Sequence, residues 1–174
     1  MNNPVSEPSP TMVEEVFGVA GCSLLISMMA SHICDAKNKL TAAVRVSSTT
    51  VTEVFGVGPV VAATVIGAVR DVSRFADRDH FAAYNGTAPV EVSSGPRKIY
   101  RLSRRGNRRL NHAIHMAAVT QVSHRHSPGR AYYERKLAEG QTPKEALRSL
   151  KRRLSDALFA HLLADARRAA AGPR

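Results

Sequence analysis

VTEVFGVGPVVAATVIGAV, residues 51–69, reads as two short helical runs joined at Gly56-Val57-Gly58. Pro59 stands in the first turn of the second run, where its missing N–H does no harm. Upstream, Ile33, Lys37, Leu40 and Val44, with Ala36 and Ala43, form a narrow stripe at helical spacing, which Ser47, Ser48, Thr49 and Thr50 interrupt. Downstream, residues 71–79 carry turn residues, and FAAYNG is a brief helix ended by Asn85-Gly86. Val90 and Val92, then Ile99 and Tyr100, flank Ser94-Gly95-Pro96, the pattern of a small hairpin or paired extended segment around residues 89–102. From Arg108 to about Val122, Leu110, Ala113, Ile114, Ala117 and Val119 sit on nearly all sides, as in a buried helix. Residues 129–139 make another helix, closed by Gly140. Thr142-Pro143-Lys144-Glu145 then satisfies a capping box and opens a helix with Leu147, Leu150, Leu154, Leu158 and Leu162 on its inner face. Lys144, Arg148, Lys151, Arg152 and Arg153 lie elsewhere on it. The expected fold is mainly α, a compact helical domain with a helix-hairpin-helix-like element and one small β-hairpin.

Composition agrees. The 174 residues, 44% of them hydrophobic, suffice for one domain of ordinary size with a short arm. Trp is absent and Phe and Tyr are few, so the core must be built from Leu, Val, Ile and Ala, which favours helices. The net charge of +11, with a pI near 10.5, attracts polyanions and makes their binding salt-sensitive. A membrane is the poorer partner: the apolar stretch 16–30 holds Ser23 and Ser27 and falls short of the roughly 20 residues that cross a bilayer. It is no signal peptide, since Glu7, Glu14 and Glu15 precede it without a Lys or Arg. Cys22 and Cys34 have no C-x-x-C spacing, which points to reduced thiols, a cytoplasmic setting and no metal site.

Residues 92–133 contain no Asp or Glu. Within them RKIYRLSRRGNRR places Arg97, Lys98, Arg101, Arg104, Arg105, Arg108 and Arg109 in thirteen residues without a counter-charge. Arginine forks pair with phosphate at two points. Neutralising four DNA phosphates would give a log–log salt slope of about −3.6. A charge run is usually a solvated face, but here self-repulsion is unrelieved until Glu134, which favours a polyanion-facing role. Gly56 and Gly58 would let a backbone approach a phosphate, with the N–H groups of the following helix as donors; they equally suit a tight turn between core helices. Just before the cationic run, Ser93-Ser94-Gly95-Pro96 is by chemistry alone a turn, although nearby arginines could stabilise charge developing on a phosphoryl group under serine attack. Asp77-Arg78-Asp79-His80 reads as a solvated ion-pair surface, and His112 and His115 as packing residues without a metal partner.

Four blocks in order extend this reading: VFGVGPVVAATVIG, RFADRDHFAAYNGTAPVEVSSG, YRLSRRGNRRLNHAIHMAAVTQ and GRAYYERKLAEGQTPKEALRSLKRRLSDAL. From about Ser48 to Ala160 the chain resembles the C-terminal domain of the insertion-sequence one-ten, one-sixteen and nine-oh-two family of transposases, DNA recombinases of mobile elements. The resemblance implies a serine nucleophile that links covalently to DNA, at Ser94, with Ser93 as second choice. Arg97, Lys98 and Arg101 are phosphate-stabilising neighbours inferred from chemistry. It implies DNA as partner, a structured guide RNA for some members, and a homo-oligomer or association with a full-length transposase. Family members begin with a RuvC-like domain whose Asp-Glu-Asp-Asp set holds divalent metal, Mg, joined by a helical connector. Residues 1–50 carry only Glu7, Glu14, Glu15 and Asp35 as acids. The expectation is therefore a truncated, non-autonomous transposase, with no cofactor bound by this chain and a nucleoid-associated place in a bacterial cytoplasm. Residues 1–31 are an arm, disordered or unmatched; 32–48 are the connector helix, 49–165 the transposase C-terminal domain and 166–174 a basic tail. The alternative is a non-enzymatic nucleic-acid-binding remnant or regulator that associates with an intact transposase.

Overall fold

Pro10–Val46 forms one helix, α1, in this computed structural model, which describes residues 10–93, 98–102 and 106–172, with side chains for 21–88 and 106–172. Helix thus begins inside the segment read above as an arm. The chain divides into two compact units, Met1–Leu40 and Thr41–Arg174. In the first, Leu24, Leu25, Ile26, Met28, Met29 and Ile33 of α1 are exposed, as are the thiols Cys22 and Cys34. Among the described residues no helix is long and apolar enough to cross a membrane.

The second unit holds all the rest. After the final turns of α1, where Val44 is buried, comes a single 3-10 turn, Thr50–Glu53. Then follow α2 (Pro59–Val69), a second 3-10 turn (Val72–Arg74), α3 (Arg78–Asn85), strands β1 (Pro89–Ser93) and β2 (Lys98–Leu102), α4 (Arg108–Ser123), α5 (Pro128–Ala138) and α6 (Pro143–Ala170). The mainly α fold is as expected, with one correction. The first run of the anticipated helix-hairpin-helix is only the 3-10 turn. Too few residues separate the Thr49 cap from Gly56 to repay helix nucleation, and the β-branched Val51, Thr52 and Val54 do not help. The second run does form a helix despite its Val, Ile and Thr content, because Ala62, Val65 and Val69 bury one face of α2.

Helix α6 is the spine. Its capping box is complete: the Glu145 amide donates to the Thr142 hydroxyl while the Glu145 carboxylate accepts from the Thr142 N–H at 2.9 Å. Leu150, Leu154, Leu158 and Leu162 are buried along it, and Phe159 stacks on the buried Phe81 of α3, which meets Phe75 edge-on. Helix α4 departs from expectation. It buries Leu110, Ala113, Ile114, Ala117 and Ala118, but Met116 is 45% and Val119 37% exposed. Its apolar excess is therefore a core face plus an uncovered strip. Near the far end of α6, Asp165 accepts from the hydroxyls of Thr49 and Thr50, both at 2.6 Å, and from the Thr50 amide. Burial alone would raise the Asp165 carboxyl, but those hydrogen bonds outweigh it and hold the group below its ordinary range.

Candidate nucleic-acid interface

The hairpin is antiparallel and pairs Pro89 with Leu102, Val90 with Arg101, Glu91 with Tyr100, Val92 with Ile99 and Ser93 with Lys98. Its last pair brings Ser93 of β1 opposite Lys98 of β2. Ser94, Gly95, Pro96 and Arg97, which join the strands, lie outside the described residues, as do Arg104 and Arg105.

The foot of this hairpin is built in detail. Helix α3 ends at Gly86 in the left-handed conformation, φ 73°, whose N–H returns to Ala82 and Ala83. The buried Asn85 then fixes the departing chain: its Oδ1 accepts from the Thr87 amide at 3.1 Å and the Thr87 hydroxyl at 2.6 Å, while its Nδ2 donates to the Ser155 hydroxyl of α6 at 2.7 Å. On the returning side the Asn107 amide donates to the Tyr84 carbonyl at 2.7 Å and its Nδ2 to the Tyr84 hydroxyl at 3.1 Å. Asn107 also caps α4 by accepting from the Leu110 amide. The two sides meet so closely that a Cβ on Gly106 would stand 2.8 Å from the Gly86 amide nitrogen. Asn111 closes the set, donating to the Asn85 carbonyl at 2.7 Å and accepting from the Lys151 ammonium at 2.8 Å. Side chains from α3, α4 and α6 thus tie the chain to the core at Thr87, just before the hairpin, and at Asn107, where α4 begins. The sequence reading named Asn85 only as part of a helix stop and missed Asn107 and Asn111; the available signal was Asn85-Gly86 before, and Gly106-Asn107 after, the hairpin.

Of the cations expected to bind nucleic acid, Arg108 and Arg109 are exposed in the first turn of α4, which contains no acid. The positive end of a helix dipole disfavours cations, so the pair is not placed there for helix stability. With α2 they frame a groove of about 420 Å3 lined by Val60, Val61, Thr64, Ala113, Met116 and His112. His112 is exposed at this groove and is not a packing residue, whereas its neighbour His115 is half-buried. Burial, then the charges of Lys151 and His112, push the His115 imidazole below its ordinary value. Lys151 sits off the leucine face yet is 8% exposed, and burial followed by the charge of Arg148 lowers its ammonium.

The two turn glycines have different surroundings. Gly56 has φ 82°, and a Cβ there would lie 2.8 Å from the Ala117 carbonyl oxygen of α4. Gln121 of α4 donates to the adjacent Phe55 carbonyl at 2.6 Å, so this turn is clamped onto α4. Gly58, by contrast, has open space around it and leads into α2 with no side-chain cap. Close approach of a phosphate is open at Gly58 and blocked by packing at Gly56. Asp77 caps α3 and bonds His80, and Asp79 pairs with Arg152, so the acids of 77–80 are structural. Among the described residues no three His, Cys, Asp or Glu side chains come together as metal ligands.

Residues 48–134 match the transposase IS116/IS110/IS902 family. The chain is 41% identical over 108 residues to the insertion element IS116 uncharacterized 44.8 kDa protein of Streptomyces clavuligerus, across 62% of this chain and 27% of that protein. It is 36% identical over 117 residues to the insertion element IS110 uncharacterized 43.6 kDa protein of Streptomyces coelicolor, across 66% of this chain and 28% of that one. A third relative, the insertion element IS900 uncharacterized 42 kDa protein of Mycobacterium paratuberculosis, is 36% identical over 115 residues, 27% of its length. The matched region therefore spans little more than a quarter of these relatives.

Proposed function

We propose, from the premise that this chain belongs to the transposase IS116/IS110/IS902 family, that it is the DNA-gripping and strand-attacking module of an insertion-sequence transposase. The observation that carries the reading is the polar network of three helices that fixes Thr87 before the 89–102 hairpin and Asn107 after it, the hairpin's connection containing Ser94. Ser94 attacks a DNA phosphorus; a bond from phosphorus to Oγ forms and one to a deoxyribose oxygen breaks, with the serine proton passing to a base and the released sugar oxygen taking up a proton. Because one phosphoester replaces another, a sugar hydroxyl can reverse the step and join strands. Arg97, Lys98 and Arg101 stabilise the phosphoryl charge, and Arg104, Arg105, Arg108 and Arg109, with the Gly58 turn, hold neighbouring phosphates. By the same resemblance, divalent metal, Mg, would be held by the carboxylates of a RuvC-like domain, the partners are a second copy in a homo-oligomer or a full-length transposase, and a structured guide RNA would bind the same cationic surface.

Suicide DNA substrates, incubated with the chain alone and with a RuvC-like domain from a relative, test this on denaturing gels. A covalent adduct that disappears in Ser94→Ala is the expected result. An adduct that survives moves the nucleophile to Ser93 or beyond. Salt-sensitive binding without adduct in any mixture leaves the non-enzymatic binding role instead.

A further inference from the structure

The groove between α2 and α4 combines features that a phosphate-binding face alone does not need. Its floor is apolar, formed by Val60, Val61, Ala113 and Met116, and two of these stay open to solvent: Val60 is 51% and Met116 45% exposed. Its rim carries the cations Arg108 and Arg109 beside the imidazole of His112, and no carboxylate lines it. Thr64 gives its hydroxyl proton to the Val60 carbonyl at 2.8 Å, so its oxygen faces any ligand as an acceptor. The Gly58 end of α2 lies beside Val60 with no side-chain cap.

An apolar floor beside two guanidinium groups selects a ligand that carries both a flat apolar face and a negative charge. Paired bases present only their edges to a groove, and those edges are polar apart from the thymine methyl group. An unpaired base exposes its face, which packs on apolar side chains and stacks on guanidinium or imidazole planes. A thioether such as Met116 also makes favourable contact with aromatic rings. The volume, about 420 Å3, falls within the range of small-ligand sites.

We infer that this groove is a subsite for one unpaired nucleotide of the bound nucleic acid, its base on Val60 and Met116 and its phosphates held by Arg108 and Arg109. The inference rests on the nucleic-acid-binding part of the proposed function and is independent of Ser94. It makes the module a reader of local strand opening: the arginines grip any phosphate backbone, and the floor adds affinity only where a base has left its stack.

The test uses the full chain and short DNA duplexes of one sequence, with 2-aminopurine either paired or in a one-nucleotide bulge. Wild-type protein should bind the bulged duplex about tenfold more tightly than the paired one, with a change in 2-aminopurine fluorescence only in the bulge. Met116→Gln with Val60→Thr keeps the charge and alters only exposed positions. It should abolish the preference and the fluorescence change while affinity for the paired duplex stays within about twofold. Arg108→Gln with Arg109→Gln should weaken both duplexes alike. Equal binding of paired and bulged DNA by the wild type, or an unaltered preference in the Met116 and Val60 variant, overturns the subsite while leaving backbone binding in place. Failure to bind any DNA or RNA overturns the underlying reading as well. Concentration-dependent self-association that Met116→Gln removes, without effect on DNA, would assign the groove to a second copy of the chain and also overturn it.

Discussion

Gly56→Ala and Gly58→Ala, two residues apart in one turn, should have opposite consequences. At Gly56 the backbone is left-handed, with φ 82°, which costs an L-residue about 1–2 kcal/mol. The added methyl would also stand 2.8 Å from the Ala117 carbonyl oxygen and 3.4 Å from Cγ of Gln121. The first neighbour is helix backbone and cannot rotate away, so the turn must lift off α4 and loosen the hydrogen bond from Gln121 to Phe55. Overpacking of this kind adds about 1–3 kcal/mol. Together the loss is about 2–5 kcal/mol, and at roughly 2–4 °C per kcal/mol for a chain of this size the melting temperature falls by about 4–20 °C. At Gly58 φ is −77° and ψ 174°, open to any residue, and nothing lies within 4 Å of an added Cβ. Gly58→Ala should cost under about 1 kcal/mol and instead reduce DNA affinity if a phosphate approaches the turn there. Thermal unfolding followed by circular dichroism, beside DNA titrations at fixed salt, separates the two effects. A Gly56→Ala protein as stable as the wild type would refute the packing argument.

Three further outcomes follow from the hydrogen-bond network and the charges. Asp165→Asn should lose about 1–3 kcal/mol at neutral pH, because the amide cannot accept from Thr49 and Thr50 as the carboxylate does. With the folded-state pKa depressed, that carboxylate's contribution is complete above its unfolded value near 4 and fades as pH falls through the lower folded value, so urea unfolding of Asp165→Asn should show a shallower acid limb below about pH 4. Asn85→Ala should cost about 2–4 kcal/mol by stranding Thr87 and Ser155, and hydrogen exchange should quicken first at the hairpin foot; uniform exchange across the domain would contradict the pinning role. His115, held below its ordinary value, takes a proton more readily in the unfolded chain, so stability should decline as pH falls through about 6.5, and His115→Gln should remove that part of the decline in chemical denaturation.

Much of the helical frame was legible because its signals are local. The capping box at Thr142, the Asn85-Gly86 stop and the leucine spacing of α6 each involve residues within a turn or two of one another. What the local pattern could not decide was the sidedness of α4. Met116 and Val119 have the chemistry of core residues, and only the path of α2 and α6 leaves them uncovered. The Thr50–Glu53 turn was misjudged because a capped start was read as a helix, although too few residues precede Gly56 for one to nucleate. The hairpin-foot network was hidden for another reason: Asn85, Asn107, Asn111 and Lys151 are ordinary surface types, and their value comes from pairings such as Asn85 with Ser155, 70 positions apart. Likewise Gly56 and Gly58 look alike in sequence and differ only in what stands opposite them.

Most acids of the second unit have structural partners. In the second unit Asp71 binds Ser73, Asp77 caps α3, Glu145 closes the capping box and Asp165 holds Thr49 and Thr50. Glu134 pairs with Arg130, Glu139 with Lys136, and Asp79 and Asp156 with Arg152. These carboxylates cap helices or compensate cations of α5 and α6, while the first turn of α4 receives none. Arg108 and Arg109 are therefore left without a carboxylate partner among the described residues, where charge of one sign favours capture of a polyanion. It follows that cations of the two kinds should separate in experiment. Arg152→Gln strands two carboxylates and should reduce stability by about 1 kcal/mol, yet leave the salt slope of DNA binding unchanged. Arg108→Gln removes no ion pair and should leave stability unchanged, yet flatten that slope by about 0.9 for each phosphate released. Equal effects of the two substitutions on the slope would mean that net charge alone governs binding, and the local argument would fail.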